Sequence, residues 1–182
     1  MTSPTPDGQH VGSHAGVHFS VRGADCLNEL EPLWLHLFDY HLSTGNAGIR
    51  GIPRDQSWPR RRQLYELLFT EPNTFVVLAE HDVVPVGYAF CHIKPNADDT
   101  WDTGDCMGEV ETLVISPEVR GNGVGSALMD AAEAELARRG ASDVLTAVLE
   151  GNERTRRFYE RRGMRPTVTY LMRLAPPSDM DD

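Results

Sequence analysis

The chain has 182 residues, 40% of them hydrophobic, and a formal net charge of −10; this suffices for one hydrophobic core and is short for two. The scattered acidic excess argues against nucleic acid or anionic membrane as a partner, and such a field would favour a cationic substrate. Cys26, Cys91 and Cys106 form no Cys-x-x-Cys pair, and neither a signal peptide nor an apolar run of about 18 residues is present, so a soluble, reducing, cytoplasmic setting is expected.

Residues 1–16 are rich in Pro, Gly, Ser, Thr and His and read as a loose N-terminal tail, since they offer too little apolar surface to offset ordering entropy. His10, His14 and His18 recur at a helical interval, but Gly12 and Gly16 oppose a helix and no carboxylate or Cys completes a ligand set, so no metal is expected. The alternation in Val17–Arg22 predicts the first strand. Asp25 then suits the N-cap of a short helical segment, and Pro32 the first turn of a separate helix to about His41, with Leu33, Trp34, Leu37, Phe38 and Tyr40 on a broad apolar face.

Ser43–Ser57 holds Gly45, Gly48, Gly51 and Pro53 and is long for a connection, which marks it as a candidate acceptor loop. A helix follows from Ser57-Trp58-Pro59, with Leu64, Tyr65, Leu67 and Leu68 inward. Arg60, Arg61 and Arg62 lie in its first turn, where the helix dipole repels cations, so an anionic partner is one reading and a solvated face the other. Thr74–Glu80 and Val84–Ile93 form a hairpin around His81-Asp82. Lys94–Gly108 is a second long loop, whose Asp98, Asp99, Trp101, Asp102 and Asp105 would either attract an amine or simply be solvated.

The most informative stretch is Glu109–Gly140. Glu109–Ile115 reads as a strand, Ser116-Pro117 breaks it, and Arg120-Gly121-Asn122-Gly123-Val124-Gly125 leads into a helix. That helix carries Ala127, Leu128, Ala131, Ala134, Leu136 and Ala137 on one side, Glu133 and Glu135 on the other, and Gly140 as its stop. Three glycines in five positions permit a tight curl with inward amides, and a helix N-terminus there favours an anion. A phosphorylated ligand is expected. A P-loop is excluded because Gly125 is followed by Ser126-Ala127 with no lysine; a dinucleotide fingerprint fits poorly, with Ser126 in place of the third glycine or alanine and Glu150 late. Beyond it come a strand over Asp143–Leu149, a helix over Asn152–Arg162, a closing strand over Thr167–Arg173 and a frayed acidic tail over 175–182. The strand, helix, strand order implies a right-handed crossover in an α/β domain spanning 17–174.

Arg120-x-x-Gly123-x-Gly125 resembles the Arg/Gln-x-x-Gly-x-Gly/Ala signature of the GNAT superfamily of acyl-CoA-dependent N-acyltransferases. The run Asn152 to Met164, with Phe158-Tyr159 and Gly163, resembles the second signature of that family; Thr155, Met164 and Asn122 depart from its commoner residues. The resemblance implies a mixed central β-sheet of about six to seven strands flanked by helices on both faces, with acetyl-CoA as co-substrate. It assigns the cofactor to Leu113, Val114 and Ile115 for the pantetheine arm, to Arg120, Gly121, Asn122, Gly123, Val124, Gly125 and Ser126 around the pyrophosphate, and to Asn152 and Tyr159 near the thiol. Arg156 and Arg157 are alternatives for the 3′-phosphate.

In chemical terms, acyl transfer to an amine needs a base for the ammonium and a proton for the thiolate. Glu109 and Glu111 stand two apart on a strand and share one face, with Val110 and Thr112 on the other. By resemblance Glu111 is the first choice as base and Glu109 the second, with Tyr159 as the acid. The implied activity is direct acetyl transfer to the primary amine of a small molecule; a silent acyl-CoA-binding module and a protein-amine acetyltransferase are the competing readings. A homodimer is compatible with the resemblance.

Overall fold

The computed structural model describes residues 8–44, 50–95, 100 and 102–173. Gly45, Gly48, Asp98, Asp99, Trp101 and the acidic tail 175–182 lie outside the described residues, as do residues 1–7 of the expected N-terminal tail.

Among the described residues six strands form one sheet in chain order: β1 (Gln9–His14), β2 (Val17–Arg22), β3 (Phe75–His81), β4 (Val84–Pro95), β5 (Cys106–Ile115) and β6 (Asp143–Thr146). The first five run antiparallel and β6 joins β5 in parallel. Helices α1 (Leu27–Thr44) and α2 (Arg54–Leu68) cover one face, while α3 (Val124–Arg138) and α4 (Glu153–Arg161) cover the other. The mixed α/β sheet flanked on both faces is the expected architecture.

Two cores result from the alternation of the central strands. Val77, Ala79, Ala89, Cys91 and Val110 pack against Leu128, Met129, Ala132 and Leu136 of α3. On the opposite side Val76, Leu78, Tyr88 and Phe90 pack against Leu30, Leu33, Trp34 and Tyr65. Tyr65 is fully buried, stacks on Phe90 at 3.8 Å, and donates to the Thr112 hydroxyl at 2.6 Å. Burial of such a ring contributes about 1.5–3 kcal/mol, and the hydroxyl partner removes the cost of burying its polar tip.

Several expectations are corrected. Residues 9–14 of the supposed tail are a strand, because β1 pairs by backbone with β2 and needs little apolar surface of its own. The two helices expected across Pro32 are one helix, preceded by a 3-10 turn at Ala24–Cys26; Leu27, Leu30, Leu33 and Trp34 are buried on both sides of the proline and outweigh its missing N–H. Helix α2 starts at Arg54 rather than Ser57, and Leu67 faces solvent. Glu135, expected on the polar side of α3, is buried and held in its carboxylate form by hydrogen bonds from Arg138 and Arg139. Residues 167–173 form no strand: Val168, Tyr170, Leu171 and Met172 are exposed, since β-propensity without a strand partner does not hold an extended segment in place.

Candidate active site

The site grows from the parting of β5 and β6. Their pairing runs from Met107↔Asp143 to Val110↔Thr146 and stops, although β5 continues to Ile115. The sequence predicts a strand through Leu149; it ends three residues earlier, where the Thr146 hydroxyl donates to the Val110 carbonyl at 2.9 Å and closes the last shared rung. Beyond that point β5 has an edge without a β6 partner, and a crevice opens there. Its lining combines Leu113, Val114 and Ile115 of β5 with Arg120 and Gly125 of the glycine loop, Tyr159 of α4, and Leu37 and Tyr40 of α1. A strand edge with free N–H and C=O groups suits an extended amide-bearing chain, which would pair with it as another strand would.

At one end lies the glycine loop. Gly121 and Gly123 take φ of +86° and +78°, conformations that a side chain would strain, whereas Gly125 sits in α3 with its would-be Cβ 3.6 Å from Ile115. The curl therefore needs two of the three glycines for backbone shape, while the third lies beside the strand. The Arg120 side chain donates to the Ile115 carbonyl at 3.0 Å and so closes the strand end. His14 of β1 donates from Nε2 to the Asn122 carbonyl at 2.8 Å and buttresses the loop from outside. Composition gave no hint of this contact, because the partners are 108 residues apart.

Tyr159 also lines the crevice and is buried, and burial pushes its phenol up, so it carries its proton at neutral pH. Asn152, assigned to the thiol end, is the N-cap of α4: its Oδ1 accepts from Thr155 N–H at 3.2 Å and from Tyr40 O–H at 3.0 Å. It fixes the turn of α4 that presents Tyr159. Tyr40, Arg154, Thr155 and Phe158 line the crevice without having been singled out as cofactor residues; the helical spacing of Leu37 and Tyr40 was the available signal. Arg156, one of the two alternatives for the 3′-phosphate, pairs with Glu153 at 2.5 Å.

The α1/α2 face of β5 carries the charged groups. Glu109 and Glu111 share it as expected, but Val110 and Thr112 do not share the other. The β4 register skips from Phe90↔Thr112 to Cys91↔Val110, which makes Glu111 the extra residue of a β-bulge. Glu111 and its neighbour Thr112 therefore both meet α2, through Arg61 and Tyr65. Arg61 donates to Glu111 at 2.6 Å and lies 4.0 Å over the Trp34 ring; of the Arg60–Arg62 triplet, Arg62 also has an anionic partner, Glu66 within its own helix, while Arg60 donates to Gln56.

Glu109 accepts from Lys94 at 2.6 Å and lies 3.4 Å from His92 Nε2. The His92 hydrogen bond first, with Lys94 behind it, overrides burial and holds Glu109 at about 2. Donor atoms of His92, Glu109 and Glu111 fall within 4.8 Å of one another. Both carboxylates are already neutralised by Arg61 and Lys94, a poor setting for a metal cation. Among the described residues no helix is long and apolar enough to cross a membrane.

The family model described as "Acetyltransferase (GNAT) family" matches residues 34–164. An uncharacterized N-acetyltransferase of Archaeoglobus fulgidus is 30% identical over 122 residues, covering 64% of this chain and 78% of that one. For the similar protein of Mycobacterium tuberculosis the chain spans 66% of the relative's length. Among solved structures, a GCN5-related N-acetyltransferase from Ralstonia eutropha superposes with a TM-score of 0.70 at 21% identity, covering 88% of this chain and 100% of that one. An aminoglycoside N-acetyltransferase, AAC(6')-Iy, in complex with CoA does so with a TM-score of 0.65 at 17% identity, covering 88% and 96%. The chain belongs to the GNAT family.

Proposed function

We propose that the chain is an N-acetyltransferase that moves an acetyl group from acetyl-CoA to the primary amine of a small molecule by direct attack. The observation that carries this reading is the crevice itself, whose lining combines a strand edge left without a β6 partner, an anion-suited loop and a proton-bearing tyrosine. CoA in the complexed AAC(6')-Iy structure supports the same class of co-substrate for this fold.

The chemistry then divides among named groups. The loop Arg120–Ser126 receives the pyrophosphate with its backbone N–H groups, while the edge of Leu113, Val114 and Ile115 pairs with the pantetheine amides and directs an N–H at the thioester carbonyl. An alkylammonium with a pKa of about 10.4 gives its proton to Glu111, reached directly or through one water. The freed nitrogen lone pair attacks the carbonyl carbon and the C–S bond breaks. Tyr159 protonates the departing sulfur and is reprotonated by the proton that the nitrogen sheds. Glu109 is the poorer base, because it is held as a carboxylate to about pH 2.

One observation favours a second reading, a non-catalytic acyl-CoA-binding module: Glu111 already carries the Arg61 guanidinium. Thiol release from acetyl-CoA across a panel of amines separates the two. The transferase reading expects release with at least one amine and a loss of about a hundredfold or more in kcat for Glu111→Gln. CoA binding without release from any amine would establish the silent module.

A further inference from the structure

We propose that the acceptor carries an acidic group close to its amine, as an amino acid does, and that Arg61 is the residue that reads it. This rests on the acetyltransfer reading for the amine, but its evidence lies on the opposite face of β5.

Each carboxylate of the cluster around Glu111 already has a basic partner. Glu111 carries Arg61 at 2.6 Å and Glu109 carries Lys94 at 2.6 Å, so two carboxylates meet two cations. His41 adds no charge, because burial and the neighbouring Arg61 push its pKa down. The chain's net charge of −10 is therefore not expressed at this cluster. A polycation arriving here would meet Arg61 and Lys94 before gaining a free carboxylate, and like charges at such distances repel.

Arg61 is set up as a receptor. Its guanidinium carbon stands 4.0 Å from the centre of the Trp34 ring and its side chain is only 22% exposed, so its position is fixed by packing. A single hydrogen bond, from Nη1, goes to Glu111, and its remaining N–H donors have no protein partner among the described residues. A planar fork with donors to spare suits a carboxylate. Leu37 packs in the same core as Trp34, one turn along α1, and also lines the crevice, so α1 brings the cluster to within a helical turn of it.

An amino acid would exchange the single Arg61–Glu111 pair for two, ammonium on Glu111 and carboxylate on Arg61, with no charge left uncompensated. The exchange also prepares the reaction. Drawing Arg61 onto the substrate frees Glu111 to take the ammonium proton, so only an acceptor with the acidic group would activate the base. This turns the ion pair that favoured a silent module into a specificity device.

The test uses the full chain saturated with CoA and titrated calorimetrically with matched pairs, L-phenylalanine against phenethylamine and L-lysine against cadaverine, with spermidine as polycation. A charge-assisted contact of this kind gives about tenfold to a hundredfold preference for the carboxylate-bearing member of each pair. Arg61→Lys should shrink that ratio, and Arg61→Met, which keeps a long side chain on Trp34, should bring it near one. Glu111→Gln supplies an independent arm: with Arg61 released, 3-phenylpropionate should bind severalfold tighter than to the wild type. Equal binding within the pairs, tightest binding by spermidine, or a ratio unmoved by Arg61→Met would overturn the proposal. Thiol release on the same panel reports separately on acetyl transfer. Arg61-dependent binding without release overturns the transferase reading and keeps this one, whereas release without carboxylate preference does the reverse.

Discussion

The two faces of β5 are built on different principles. On the α3/α4 side the crevice is shaped by backbone: a strand edge left unpaired beyond Val110, two glycines in left-handed conformations and a helix entrance. The α1/α2 side is made of side chains, with Arg61 reaching Glu111 across 50 residues of sequence and Lys94 reaching Glu109 across 15. A half shaped by backbone keeps its geometry through most changes of side chain, while a half built from side chains can change its ligand by substitution without disturbing the fold.

The sharpest way to test that division is a change of one atom at the junction. Tyr159→Phe keeps the packing beside Phe158 and removes the hydroxyl; kcat should fall by about a hundredfold to ten-thousandfold with the KM for acetyl-CoA unchanged, as steady-state kinetics would show. An equal loss in both parameters would mean that Tyr159 only shapes the cofactor half. Gly123→Ala attacks the backbone half alone. Its φ of +78° opposes a side chain, and the added Cβ would stand 2.8 Å from His14 Nε2, so CoA affinity measured by calorimetry should drop about tenfold to a hundredfold. Binding of the acceptor should be spared.

A smaller effect is expected for Glu109→Gln, which touches the side-chain half. The folded-state pKa of Glu109 is depressed, so its stabilisation is present above the unfolded value of 4.5 and is lost as pH falls towards about 2. Thermal melts should show the variant lower than wild type by several degrees at pH 7, with the gap closing below about pH 4. A constant gap would mean that lost packing, not charge, is responsible. The mildest change is His14→Ala, which should raise the KM for acetyl-CoA about two- to fivefold by loosening the Asn122 carbonyl, with His14→Gln restoring a donor.

This division also explains what could be read in the sequence. Arg120, Gly121, Gly123 and Gly125 announce themselves because backbone shape restricts residue type at fixed spacing, and the periodicity of α3 made its buried face legible. Glu109 and Glu111 were recognisable as a pair on one face. Their partners were not, since Arg61 looks like any solvated arginine until α2 is laid against β5, and a bulge at Glu111 leaves no mark in an alternating pattern. β1 was missed for the opposite reason: it is held by backbone pairing, which composition does not record. The segment 167–173 had the composition of a strand and no partner to make it one.

The hairpin of β1 and β2 carries a practical consequence for anyone trimming this protein. Residues 8–16 look expendable by composition, and a truncation at Val17 would leave both hydrophobic cores nearly complete, with only the partly buried Val11 removed. Such a protein should express, fold and pass a circular-dichroism check, yet it would lack the strut under Asn122 and bind the nucleotide end of its co-substrate poorly. A preparation of that kind, weakened in co-substrate binding alone, would be easily mistaken for one offered the wrong acceptor amine.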